Sequence, residues 1–151
     1  MLVLLRYLWA SPNSAIGLLA ALAAWLSGGK VSVHSGVVEV RGGLPAWCLQ
    51  HLSVLPRGIA AMTLGHVVIG QDQHCLDTTR FHERVHVRQY GVWGPFFLPA
   101  YLGTSLMARM RGRDGYRENP FEREAFALEA EEERRLLAEA RGEGSGGGGL
   151  A

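Results

Sequence analysis

His82-Glu83-Arg84-Val85-His86 reads H-E-x-x-H within a stretch of helical pattern. On a helix, side chains four apart share a face one turn up, so both imidazoles can close on a single metal ion. Glu83 then stands beside the ion, where a carboxylate can hold a water and take its proton. Two neutral imidazoles suit Zn²⁺, and a zinc-bound water with an adjacent base hydrolyses amides.

A catalytic zinc takes three protein ligands and leaves a position for water. The acidic candidates downstream are Glu118, Glu122, Glu124 and Glu129. Asn119-Pro120-Phe121-Glu122 spells a helix start, with Asn as N-cap, Pro at N1 and Glu at N3, and the helix runs to about Arg141. Its apolar residues Phe121, Ala125, Leu128 and Leu136 define an inward face, with Phe126 at its margin. Glu122 falls inside that arc and Glu124 outside it. A carboxylate on an apolar face is costly unless paired or metal-bound, so Glu122 is the expected third ligand. A capping-box role would also account for it. Glu129 could orient a ligand or replace one.

The elements around these residues follow from periodicity and punctuation. The metal helix is expected from an Asp77 N-cap to Gly91, with Thr79, His82, Glu83, His86, Gln89 and Tyr90 on one side. Arg80, Arg84 and Arg88 stack on the other, a solvated face or one turned to an acidic partner or lipid phosphates. Upstream, Lys30–Val33 and Val37–Arg41 around Ser35-Gly36 read as a β-hairpin. Leu44–Arg57 is mixed, with Trp47 and Leu49 as core. Ile59–Ile69 reads as one strand, either a core strand or an edge along which an extended peptide could pair. His66 is then an ordinary strand histidine. Cys75, about 10 Å of helical rise before His82, is a small buried residue. Val92–Ala108 carries no charge, but Pro95, Pro99 and Gly103 favour a kinked or interfacial helix, or a buried partner of the metal helix, over a span.

The chain has 151 residues, 48 % hydrophobic and 19 % charged, with a net charge of +1. That length suits one domain, and that charge gives no reason to expect nucleic acid as a partner. Two cysteines define no disulfide framework. Residues 1–29 form an apolar N-terminal segment that Ser11-Pro12-Asn13-Ser14 is expected to cut in two. The cut argues against a cleaved signal and for a folded or membrane-lying helix, with a bacterial-type cytoplasmic or inner-membrane-associated location ahead of secretion. Residues 30–141 are the metal-binding domain, and the glycine-rich 142–151 a disordered tail.

His82-Glu83-x-x-His86 followed by Glu122-Arg123-Glu124-Ala125 resembles the glutamate zincins, in particular membrane proteases of the CAAX prenyl endopeptidase type, whose third-ligand helix reads E-x-x-A-D. The match covers about a dozen residues on two helices. His82…Gln89-Tyr90 with Asn119…Ala125 is also similar to small bacterial proteins of unassigned activity. The resemblance implies His82, His86 and Glu122 as ligands of one Zn²⁺, Glu83 as general base and a peptide or protein substrate. Two positions depart from it: Phe126 stands where the family has Asp, and Arg84 puts a charge between the histidines. The sequence therefore predicts an α+β, zincin-like domain, a short sheet beside a metal helix and a ligand helix, acting as a zinc metallopeptidase. Tyr90, Tyr101 and Tyr116 are oxyanion donors by type only. The competing reading is a non-catalytic metal-binding or membrane-associated module.

Overall fold

Among the described residues, four short strands form one mixed sheet in the order β1-β2-β4-β3. The computed structural model describes residues 2–52 and 59–142, with the side chains of residues 2–6 outside that description. Most of the glycine-rich tail therefore lies outside the described residues. β1 (Lys30–His34) and β2 (Val37–Arg41) make the expected hairpin. Ser35 and Gly36 both take positive φ, as a two-residue type I′ turn requires. β4 (Val67–Gly70) pairs parallel with β2, and β3 (Ala61–Leu64) antiparallel with β4.

The single strand expected over Ile59–Ile69 is therefore a hairpin, broken at Gly65-His66. Gly65 has φ 64°, and a Cβ there would lie 2.3 Å from Ser14 Oγ. Only glycine fits, and the continuous apolar run conceals the turn. His66 sits in that turn rather than in a strand. Its ring stacks on Tyr7, and its Nδ1 lies 3.3 Å from Ser14 Oγ.

α1 (Leu2–Leu26) is one helix, not two. Pro12 removes the amide that would bond the Leu8 carbonyl, and the Ser11 hydroxyl donates to that carbonyl instead, at 2.7 Å. Asn13 and Ser14 are not caps; they bond the rest of the fold. Asn13 Nδ2 donates to Gly94 O, and the His66 amide donates to Ser14 Oγ. α1 buries Ala21 and Ala24 against Val40, Val67, Ile69 and Leu49. Leu49 belongs to α2 (Gly43–His51), which covers most of the described part of the stretch expected to be mixed. Trp47, expected in the core, is 51 % exposed and stacks on His51 one turn along.

The opposite face of the sheet meets α3 (Gln73–Trp93), through Val37, Ala61, Val68 and Leu76. Both faces of β4 are thus covered, and all four of its residues are buried. α3 starts four residues before the expected Asp77, because Asp72 accepts the Cys75 amide at 2.7 Å and is the real N-cap. It runs past Gly91 to Trp93 and is closed by Gly94. Cys75 is half-buried in its first turn. A 3-10 turn (Gly94–Phe96) leads into α4 (Phe97–Met110). α5 (Pro120–Ala140) follows, with Asn119 Oδ1 accepting the Phe121 amide as the cap expected there. A second core of Ala10, Tyr90, Phe97 and Phe121 ties α1, α3, α4 and α5 together. Only the first turns of α5 share in it: Leu136, expected on the inward face, is exposed.

Candidate metal centre

The i, i+4 spacing on α3 places His82 and His86 on its buried face, with Glu83, Gln89 and Tyr90. α5 packs along α3 and brings Glu122, itself buried, to the same point. His82 Nε2 lies 3.0 Å from Glu122 Oε2 and 3.2 Å from His86 Nε2, and His86 Nε2 lies 3.4 Å from Glu122 Oε1. One ligand atom from each residue lies within 4.8 Å of the other two. Three donors of the kinds zinc takes thus surround one point. The capping-box alternative for Glu122 is not used: the Asn119 amide bonds Tyr116 O, and both Glu122 oxygens face the cluster.

The outer nitrogens indicate which atoms are free to bind. His86 Nδ1 lies 2.8 Å from Gln89 Oε1, whose amide nitrogen donates to Phe121 O and to Glu124. That bonding fixes Gln89 Oε1 as an acceptor, so His86 carries its proton on Nδ1 and turns a lone pair inward from Nε2. His82 Nδ1 meets Glu129 Oε2 at 3.4 Å in the same sense. Two inward lone pairs beside a carboxylate repel one another unless a cation or protons lie between them. Phe126, in place of the resemblance's aspartate, packs its ring against that of His82 at 4.9 Å, and Glu129 one turn on supplies the acceptor instead.

Without a cation, the charges settle through protons. Burial alone would lower the pKa of His82 and of His86, but the Glu122 carboxylate outweighs it and both are raised. Burial would raise Glu122, but hydrogen bonds from the two imidazoles pull it down to about 2. Burial pushes Glu83 up, against the pull of a 2.6 Å hydrogen bond from Thr63 Oγ1. Thr63 has no sequence signal beyond the strand alternation that turns it toward α3.

These groups line a cavity of about 590 Å³ whose other walls are β3 and α4. Tyr101 reaches in from α4 and donates to Glu122 Oε1 at 2.5 Å, and burial pushes its phenol well up, so it stays a donor. Tyr116 also lines the cavity, whereas the Tyr90 hydroxyl is spent on Thr63 O. β3 is an edge of the sheet. In its hairpin the Gln71 amide bonds Ala60 O, so the alternation turns the Ala61 and Thr63 backbone groups away from β4.

Each arginine of the stripe has a protein partner, and Arg88 is also open to solvent. Arg80 pairs with Glu39 at 2.9 Å and with Asp77, Arg84 donates to His34 O, and Arg88 meets Glu124. Of the other carboxylates considered as ligands, Glu118 is exposed and Glu124 is engaged by Arg88 and Gln89. No protein-family model matches this sequence, and neither a curated protein nor a solved structure does.

Proposed function

We propose that this chain is a zinc-dependent metallopeptidase of zincin type, with His82, His86 and Glu122 as ligands and Glu83 as general base. The observation that carries the reading is the convergence of His82 Nε2, His86 Nε2 and the Glu122 carboxylate in the wall of a cavity that Glu83 also lines. Zinc bound there would polarise a substrate carbonyl and lower the pKa of a bound water toward about 7. Glu83, whose pKa burial raises in the metal-free chain, would take the proton of that water and return it to the departing amine. Thr63 holds the Glu83 carboxylate in one orientation. The edge of β3, unpaired among the described residues, suits an extended peptide, which would pair its backbone with Ala61 and with the Thr63 amide, the Thr63 carbonyl being held by Tyr90. The wall formed by Phe97, Leu98 and Leu102 suits an apolar side chain next to the cleaved bond.

A purely structural metal site is the second reading, favoured by the depth of Glu83, which is 5 % exposed. Glu83→Gln separates the two, because it leaves the three ligands intact. The peptidase reading expects zinc content to stay equal while cleavage of unfolded protein and peptide libraries falls about 10²–10⁴-fold. Equal cleavage by both forms, or none by the zinc-loaded wild type, would leave the structural site.

A further inference from the structure

α1 is built inside out for a helix that covers a core in water. Its buried side carries Ala10, Asn13, Gly17, Ala21 and Ala24, while Ile16, Leu18, Leu19, Leu22, Trp25 and Leu26 point outward. Leu19 and Leu26 are 67 % and 71 % exposed. The small side is dictated by close approach: a Cβ on Gly17 would sit 2.6 Å from Val67 Cβ. Small residues toward protein and large apolar ones outward is the arrangement of helices that face lipid. From Tyr7 to Leu26 the helix has no charged side chain.

The apolar surface continues beyond α1. Trp9 Nε1 donates to Val92 O, and its ring lies 6.2 Å from that of Phe96. That contact joins α1 to exposed Val92, Trp93 and Phe96, and α4 continues with exposed Leu102, Leu106, Met107 and Met110. Soluble monomers rarely expose so many large apolar side chains on adjoining elements. Trp9 and Trp25 stand toward the two ends of α1, and Arg111 and Arg113 are exposed just past α4, in no ion pair among the described residues. Indole rings on α1 and arginines past α4 that are unpaired among the described residues are side chains that the headgroup layer of an acidic bilayer accommodates.

We infer that this surface docks on an anionic lipid bilayer, with α1 lying in the membrane plane rather than crossing it. The helix is long enough to cross, but its inner side is buried against the fold from Ala10 to Ala24, and Asn13 is bonded to Gly94 O. Crossing would carry the sheet and its charged residues into hydrocarbon. Lying flat immerses only the outer face, and the domain takes the place of the polar side of an interfacial helix. Leu102 both lines the cavity and belongs to the exposed surface, so the cavity opens at the margin of the docking face.

Flotation of the full chain with vesicles tests the inference without metal or turnover, so its failure and that of the peptidase reading are separate results. Wild type should float with phosphatidylcholine vesicles containing phosphatidylserine. Leu19→Gln/Leu22→Gln/Leu26→Gln should lower the partition about a thousandfold, roughly tenfold per side chain withdrawn from lipid. Arg111→Gln/Arg113→Gln should cost roughly fivefold per arginine with acidic vesicles, and nothing with phosphatidylcholine alone. All five substitutions are at exposed positions, and circular dichroism melts check folding of both variants. Wild type that stays unbound, or a triple-leucine variant that floats equally, overturns the inference. So does a vesicle-independent wild-type dimer that the leucine variant dissociates, since the face would then belong to a second copy.

Discussion

The Nε2 atoms of His82 and His86 lie 3.2 Å apart, each on a ring whose Nδ1 is turned to an acceptor, Glu129 for one and Gln89 for the other. The pair therefore presents electron density to a common point that Glu122 also faces. The acceptors hold the rings in that orientation before anything binds.

Gln89 is the better placed of the two acceptors, because three hydrogen bonds fix its amide. Gln89→Ala should leave the three ligands in place but free the His86 ring to rotate. Zinc affinity should fall about 10–100-fold, as for other lost partners of ligating histidines. Isothermal titration reads this directly, and an unchanged affinity would mean that the ring is held by packing alone.

Thr63 gives a prediction on pH. Its hydroxyl stabilises the ionised form of Glu83, whose pKa burial already raises. Thr63→Val removes that bond at nearly constant shape, so the Glu83 pKa should climb further. A base works only when deprotonated, so the acid limb of the cleavage profile should move to higher pH. A limb that stays in place would assign it to another group.

The metal-free chain should show an unusual stability profile. His82 and His86 have folded-state pKa values above the ordinary 6.5, so their contribution is complete below that value and is lost as pH rises through the folded values. Glu122 is depressed from 4.5 to about 2, so its contribution is present above 4.5 and is lost as pH falls toward 2. Glu83 is a raised acid, so its burial counts against the fold as pH climbs above 4.5. In chelator the melting temperature should therefore peak between about pH 4.5 and 6.5 and fall as pH rises through the raised histidine values. Glu122→Gln should flatten that maximum. A wild type that is most stable at alkaline pH in chelator would contradict the ion-pair cluster.

What was legible in the sequence depended on whether the determining interaction was local. The spacing of His82 and His86 and the cap written by Asn119 and Pro120 act within one helix, and both features stand in the fold. The Glu122 position followed from the same local argument, its neighbours on the apolar face being Phe121 and Ala125. The failures lie where a distant residue decides. Pro12 breaks nothing because Ser11 satisfies the orphaned carbonyl and Asn13 is held by Gly94. Gly65 turns the chain under Ser14, fifty-one positions away (65 − 14). Thr63 meets Glu83 only once the sheet lies on α3, while Trp47 stacks on His51 within one helix and stays exposed, a local arrangement that its bulk and apolarity conceal. Paired arginines are equally silent in sequence, since Arg80 finds Glu39 across the fold.

Zinc titration of the purified full chain, by competition with a chromophoric chelator, tests the central claim most directly. The account predicts one ion per chain, with binding lost or weakened by orders of magnitude in His82→Ala, His86→Ala and Glu122→Ala and retained in Glu83→Gln. Failure of the folded wild type to bind zinc, or undiminished binding in all three ligand variants, would contradict it.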